Sequence, residues 1–297
     1  MTVKDLTPAA RTAVEKKSIG GGWDGRSLVK LMGELERWDN LAEARKVRAA
    51  KVFKGGVIGS VLGFFVFIVI GLMAGEFLWG LLLFAVPLAV LFSGIRMKNA
   101  ARAIDPPNEL RVSLRPVLRQ LSQDLHPDEK IKVSLNLAGI DEKKCSDTKN
   151  LPPGTNRSLT QSTYTEDLCS IRLPLTDGSH AVLRIENTYL RIERRYTGRR
   201  GKSKSKTKWK KLSAVTAILI PPERIDWDAA RVGGIGDPAN AKIAFVEKDG
   251  VQAARMNRSY KFKSADGPPG NAVPADDILR MFVRLSAMRP HAAGGSQ

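Results

Sequence analysis

The chain has 297 residues, a formal net charge of +18 and two cysteines, Cys145 and Cys169. Two isolated cysteines exclude a disulfide framework and are typical of a reducing compartment, so we expect both to be structural thiols. The excess of positive charge favours partners that carry phosphate, in lipid headgroups or in nucleic acid. The first 50 residues are polar and charged, which is not the pattern of a secretory signal.

The N-terminal segment, residues 1–54, is predicted to be cytoplasmic. Its glycine run at 20–22 predicts a poorly ordered stretch over 1–26, with Asp24 as the cap of the helix that follows. A helix over 27–54 has one apolar side. That side consists of Leu28, Leu31, Met32, Leu35, Trp38, Leu41 and Ala42. Two interpretations are equally favoured: a helix lying in the headgroup plane, or a helix packed against a cytoplasmic domain.

Residues 55–96 predict a transmembrane helical hairpin. Two apolar runs, 55–75 and 77–95, are separated by the single charged residue Glu76. Runs of about 20 apolar residues match the hydrocarbon core of a bilayer, which is about 30 Å thick. A buried helical hairpin in a soluble core is the alternative, but core helices rarely lack polar residues for so long. We therefore predict an integral membrane protein.

Basic residues lie at the two outer ends of the hairpin, and the turn between its two apolar runs has no Lys or Arg. They are Arg45, Lys46, Arg48, Lys51 and Lys54 before the first run, and Arg96, Lys98 and Arg102 after the second. Because Lys and Arg stay on the cytoplasmic side, both termini are predicted to be cytoplasmic in a multi-pass protein of the cell membrane. The opposite orientation is the alternative, since the rule is a bias.

Five glycines in the first run predict a helix-packing surface. They are Gly55, Gly59, Gly63, Gly71 and Gly75, a row with four-residue spacing that Phe67 interrupts. Glycines at this spacing let another helix backbone approach closely. The partner is either the second helix of the hairpin, the simpler account, or the same helix of another copy in a homo-oligomer.

The remainder predicts a helical connector over 97–128 and a β-rich cytoplasmic domain over 129–297. Alternating apolar residues and two Asp-Gly turns indicate antiparallel hairpins, while residues 140–164 are predicted to be a loop. The predicted elements are a helix over 114–125, strands over 131–137, 168–175, 180–186, 189–196, 207–220, 242–247 and 251–260, and a last helix from 274. The fold class is α+β: a mainly antiparallel β domain, flanked by helices and attached to the hairpin.

The hairpin over 189–220 is strongly basic. Residues 191–211 carry eleven Lys or Arg and one Glu. The predicted binding residues are Arg194, Arg195, Arg199, Arg200, Lys202, Lys204, Lys206, Lys208, Lys210 and Lys211. The lysines alternate with Ser and Thr, so an extended strand would place them on one side. Anionic lipid headgroups and a solvated loop without any partner are equally favoured, and nucleic acid or an acidic protein is the remaining alternative.

No catalytic motif, metal-ligand spacing or cofactor fingerprint was found, and we expect no cofactor. An enzyme would need a polar site assembled from distant residues, for example Asp226, Asp228, His126 and His180. The sequence therefore predicts a membrane-anchored, non-enzymatic protein whose β domain binds a partner or the anionic inner leaflet. A membrane-tethered nucleic-acid-binding protein is the first alternative, and an enzyme is the second.

Overall fold

The computed structural model describes residues 5–73, 85–97, 106–126, 128–140, 144–152, 158–198, 201–225, 227, 241–248, 250–265 and 267–289. The chain divides into two compact units. One comprises residues 1–7 and 34–106, and the other comprises residues 8–33 and 107–297. The first holds the apolar helices, and the second is the β domain.

One long helix, α2 (Gly25–Met73), replaces the two helices predicted over 27–54 and 55–75. It is continuous because no proline interrupts it, and its glycines cost only about 1 kcal/mol each. Asp24 caps its first turn as predicted, since the Ser27 amide donates to Asp24 Oδ1 at 2.8 Å. Among the described residues, α2 is the one helix that is long and apolar enough to cross a bilayer.

A shorter apolar helix, α3 (Ala85–Met97), packs antiparallel to α2. A methyl group placed on Gly56 would lie 2.7 Å from the Leu91 backbone, and one placed on Gly94 would lie 2.9 Å from the Phe53 backbone. Such distances mean that the two backbones approach closely, as glycine permits. The described part of α3 is too short to span a bilayer by itself, so the second membrane span stays a prediction.

The predicted glycine row follows this contact only in part. Gly59 lies against the ring of Pro87, and Gly63 is buried. Gly55 faces open space, and its neighbour Gly56 makes the close contact instead. The surroundings of Gly71 are not described. Gly75 and the predicted turn at Glu76 lie outside the described residues.

The described part of the β domain is an antiparallel sheet with helices, as predicted, and its sheet has eight strands. Its helices are α1 (Pro8–Lys16), a π-helical turn (Leu110–Leu114) that continues into α4 (Arg115–Leu121), and α5 (Ala275–Ala287). Its strands are β1 (Ser18–Trp23), β2 (Ile131–Asn136), β3 (Asp147–Leu151), β4 (Ser158–Pro174), β5 (His180–Thr197), β6 (Ser203–Ile220), β7 (Lys242–Lys248) and β8 (Val251–Ser264). The strands lie in the order β1-β2-β4-β5-β6-β8-β7, and β3 pairs with β4.

Three sequence predictions about these strands were wrong. The glycine run of 20–22 is ordered, because its backbone pairs with β2 from Ser18 opposite Asn136 to Trp23 opposite Ile131. The predicted loop over 140–164 contains β3 and the start of β4, since polar residues also pair on a sheet that faces water. The strands predicted over 180–186 and 189–196 are one strand, β5.

The main core lies between one side of the sheet and the helices. Leu114, Val117, Ile278 and Leu285 on the helical side are fully buried, as are apolar side chains along β4, β5 and β6. Burying each such side chain is worth about 1.5–3 kcal/mol. The helices therefore cover one side of the sheet, and the side opposite them is the one that offers a surface to ligands.

Candidate functional site

Strand β6 presents its lysines to solvent on one side. Lys204, Lys206, Lys208 and Lys210 are exposed, whereas the side chains of Trp209 and of later odd-numbered residues are buried. This alternation is the two-residue period of a strand. The arrangement predicted from the Lys-Ser and Lys-Thr alternation is therefore present in the structure.

Neighbouring strands add further cations to the same side. In the register of the sheet, Arg194 of β5 lies opposite Lys206, and Lys263 of β8 lies opposite Lys210. We refer to the exposed side chains of Arg194, Lys204, Lys206, Lys208, Lys210, Lys261 and Lys263 as the cationic face. On this side of the sheet, the described stretches 188–196, 204–212 and 261–263 contain no carboxylate.

The cationic face contains directly opposed like charges. Arg194 opposite Lys206 and Lys210 opposite Lys263 are both cross-strand pairs, and like charges in such pairs destabilise a sheet. The nearest acidic residue of β5 to Arg194, Glu193, is on the other side of the strand, where it pairs with Arg195 at 3.5 Å and with Arg191 at 3.8 Å. An external anion would therefore relieve repulsion that the sheet itself leaves in place.

Arg195 thus lies on the opposite side from the cationic face. The turn between β5 and β6 is closed by the Gly198 amide, which donates to the Lys202 carbonyl at 2.8 Å. Lys202 is exposed in this turn, and Gly201 adopts a φ of 70°, which favours glycine. Arg199 and Arg200 lie outside the described residues.

Lys211 is a correction to the predicted binding set. Its side chain is 1% exposed, and Nζ forms an ion pair with Glu109 and donates to the Asn271 carbonyl at 2.8 Å. The odd position turns it away from Lys210 and toward the helices. Lys211 is therefore unavailable to an external ligand.

Lys211 belongs to a buried polar cluster that the sequence analysis did not anticipate. The cluster consists of Glu109, Glu166, Asn187, Tyr189, Lys211 and Ser213. Asn187 Nδ2 donates to Glu109 Oε1 at 3.3 Å and to Glu166 Oε2 at 3.4 Å. The Tyr189 hydroxyl also donates to Glu166 Oε2 at 3.4 Å, and Ser213 Oγ donates to Asn187 Oδ1 at 2.7 Å.

The cluster contains two carboxylates and one ammonium group. Burial raises the pKa of Glu166; the Asn187 hydrogen bond opposes this, and the nearby Glu109 charge adds to it. Burial likewise raises the pKa of Tyr189. Lys211 Nζ also lies 5.7 Å from the Tyr189 ring centre and 5.8 Å from that of Phe262, within cation–π range. Because these groups are shut off from solvent, we assign the cluster a structural role.

The two aromatic residues of the basic hairpin, Tyr196 and Trp209, differ in how far their rings are accessible to a ligand. Trp209 is 5% exposed and packs with Tyr164 and Tyr189, the ring centres of Tyr164 and Trp209 being 5.8 Å apart. Tyr196 is half-buried, opposite Lys204. A base-stacking platform would need accessible rings, so the burial of Trp209 counts against the nucleic-acid alternative.

The histidines of the hypothetical enzyme site lie near each other. The His126 amide donates to the Pro174 carbonyl at 3.0 Å, and His180 is the strand partner of Pro174. Asp226 and Asp228 lie outside the described residues. Within the described part of the chain, no three His, Cys, Asp or Glu side chains are grouped so that they could hold a metal ion.

Comparisons of the chain with protein-family models, with curated proteins and with solved structures gave no match. We therefore infer function from two features of the molecule itself. These are the apolar part of α2 and the cationic face.

Proposed function

We propose that this chain is a membrane-anchored, non-enzymatic protein whose β domain binds the anionic inner leaflet through the cationic face. The observation that carries the proposal is the placement of seven cations on one side of β5, β6 and β8, with no carboxylate on that side of the described stretches 188–196, 204–212 and 261–263. Two cross-strand pairs of like charge, Arg194 with Lys206 and Lys210 with Lys263, also support the proposal. An extended and strongly basic sheet surface suits an anionic bilayer better than a small soluble ligand.

The apolar part of α2 supports the anchor. Its most apolar window has a mean hydropathy of 2.2, and 11% of that window is buried. Large apolar side chains there face outward, among them Ile58, Leu62 and Phe65, each more than 60% exposed. A core helix of a soluble protein would bury such residues, whereas hydrocarbon accommodates them.

The hairpin topology is part of the same proposal. The antiparallel packing of α3 on α2 at Gly56 and Gly94 supports it, because two spans joined by a short turn run in opposite directions. Basic residues precede the first apolar run and follow the second. Both termini and the β domain are then cytoplasmic, on the side where anionic lipids attract Lys and Arg.

The expected strength is sufficient for this role. Each Lys or Arg near an anionic leaflet gains about 1 kcal/mol, and the attraction falls off within a Debye length of about 8–10 Å. Seven cations therefore offer several kcal/mol, and a membrane anchor in the same chain raises their effective concentration at the surface. Removing two of them should cost about 2 kcal/mol, or about 30-fold in the population of the bound domain.

Lysine footprinting of the full-length protein tests the proposal. The protein is reconstituted in nanodiscs of neutral phosphatidylcholine, or of phosphatidylcholine with phosphatidylglycerol, and acetylated briefly. Mass spectrometry then reports the modification of each lysine. We expect the lysines of the cationic face to be protected severalfold in anionic nanodiscs, and the protection to be lost in 0.5 M salt, a concentration chosen to screen exposed charges.

Two variants that each remove two positive charges distinguish the effect of the cationic face from the effect of the protein's net charge. Lys206→Gln with Lys208→Gln should reduce the protection of Lys210, whereas Lys16→Gln with Lys17→Gln, which are exposed at the end of α1, should not. Equal acetylation of Lys210 in the two lipids would contradict the proposal. Stronger protection by duplex DNA than by anionic nanodiscs at the same salt would favour the nucleic-acid alternative instead.

A further inference from the structure

A cleft of about 630 Å³ lies at the end of the sheet remote from the cationic face. Its charged lining residues are Lys130, Lys132, Arg172 and Lys248, and Ser134 and Ser170 contribute hydroxyl groups. No carboxylate is among the described residues that line it. From Val182, which also lines the cleft, to Arg194 of the cationic face, β5 runs 12 residues, or about 40 Å. The cleft is therefore a separate site.

The cleft exists because the sheet rolls over at this end. Lys132 lies on β2 and Lys248 on β7, strands that stand far apart in the order of the sheet, yet both line the same cavity. A small apolar cluster explains the roll, since Val246 and Val251 pack against Val182 and Ile220. The rolled edge forms a concave site with an apolar base and a cationic rim.

On the β1 side, the cleft is lined by glycines, which have no side chains to fill it. Gly21 adopts a φ of 102°, which other residues rarely adopt, and a methyl group on Gly22 would lie 3.3 Å from the Lys130 side chain. Because Gly22 has no side chain, the aliphatic part of Lys130 can lie against β1.

Four cations drawn from three separate parts of the sheet repel one another. Lys132 and Arg172 are directly opposed strand partners, an arrangement that is unfavourable for like charges. Lysine and arginine together, with hydroxyl donors beside them, are the groups that bind phosphate oxygens. The volume lies in the range of small-molecule sites, which are typically about 300–1,000 Å³.

We propose that this cleft binds a phosphate-bearing ligand with more than one negative charge. Arg172 and the three lysines together supply the positive charge that phosphate oxygens require. Ser134 and Ser170 donate hydrogen bonds, and Val182 packs against the uncharged part of the ligand. Two sources share this chemistry: a soluble phosphorylated metabolite and a phosphorylated lipid headgroup.

Calorimetry on the full-length protein in neutral nanodiscs tests the site. Pyrophosphate and inositol hexakisphosphate are titrated as soluble probes. In a parallel arm, soluble inositol hexakisphosphate is titrated into protein held in nanodiscs that contain phosphatidylinositol 4-phosphate, where a lipid headgroup in the cleft would compete. We expect Lys132→Gln with Arg172→Gln to weaken binding of a soluble probe at least tenfold, and Lys206→Gln with Lys208→Gln to change it less than twofold.

The rim variant Lys130→Gln with Lys248→Gln provides a second measurement if the first variant fails to fold. Cleft-specific loss with a soluble probe supports the proposal, and competition in the lipid arm then assigns the headgroup as the source. Absence of competition assigns the soluble source. If neither soluble probe binds, or if the cleft and cationic-face variants weaken binding equally, the proposal is overturned. The soluble-probe arm is independent of leaflet binding, because its neutral nanodiscs offer no anionic surface, so its failure and the failure of the leaflet proposal are distinguishable.

Discussion

The buried ion pair between Lys211 and Glu109 leads to the sharpest prediction about stability. Lys211→Met keeps much of the side-chain volume but removes the only cation in the buried polar cluster. Glu109, which is 3% exposed, and Glu166 would then face each other without a counter-charge. Breaking a buried pair by removing one partner typically costs about 3–5 kcal/mol. We expect a loss of that size from the free energy of unfolding of the β domain.

Cys169 provides the assay. It is buried in β4, and burial raises its pKa to about 12, so its thiol reacts only when the sheet opens. In a Cys145→Ser background, the rate at which maleimide labels Cys169 in the full-length protein reports the opening equilibrium. A cost of 3–5 kcal/mol should accelerate labelling by about 150-fold to 5,000-fold.

A double variant decides whether the buried charge is the cause. Lys211→Met combined with Glu109→Leu replaces the pair by apolar side chains, which is often neutral or stabilising. Labelling should then return to within about tenfold of the parent rate. The reasoning is refuted if Lys211→Met accelerates labelling less than fivefold, or if the double variant is labelled as fast as the single one.

Two further predictions concern the same fold. Because burial raises the pKa of Glu166 above its ordinary value of 4.5, the stability that this group contributes is full below that value and is lost as the pH rises through the raised pKa. Glu166→Gln should therefore gain stability relative to the parent between pH 5 and pH 8 in the labelling assay, and a pH-independent difference would count against this. In the apolar helices, a side chain on Gly94 would meet the Phe53 backbone at 2.9 Å, too close for ordinary packing, so Gly94→Ala should push α3 away from α2 and raise the amide hydrogen exchange of both helices in nanodiscs. Gly55→Ala is the control, because Gly55 faces open space, and equal exchange in the two variants would exclude the observed packing.

The buried polar cluster around Lys211 was not predictable from local sequence patterns alone. Charge counted along the chain groups Lys211 with the exposed lysines, because such a count ignores whether a position in a strand is odd or even. The two-residue period of β6 would have placed it beside Trp209 and Ser213, on the buried side. Glu109 lies 102 residues away and Glu166 lies 45 residues away, so no local pattern could pair them with Lys211. The cationic cleft was missed for a similar reason, since Lys132 and Lys248 meet only because the sheet rolls.

The sequence by itself determined the features that depend on local composition and period. These are the apolar helix, the antiparallel hairpins β4–β5 and β7–β8, the last helix, and the single-sided alternation of lysines over 204–210. Each follows from neighbouring side chains, whose spacing decides which side of a helix or strand they share. The tertiary structure alone decided that a glycine run completes the sheet edge, that Lys211 is buried with two glutamates, and that four cations surround one cleft. Those features depend on strand order, register and curvature, which bring together residues that local periodicity cannot relate.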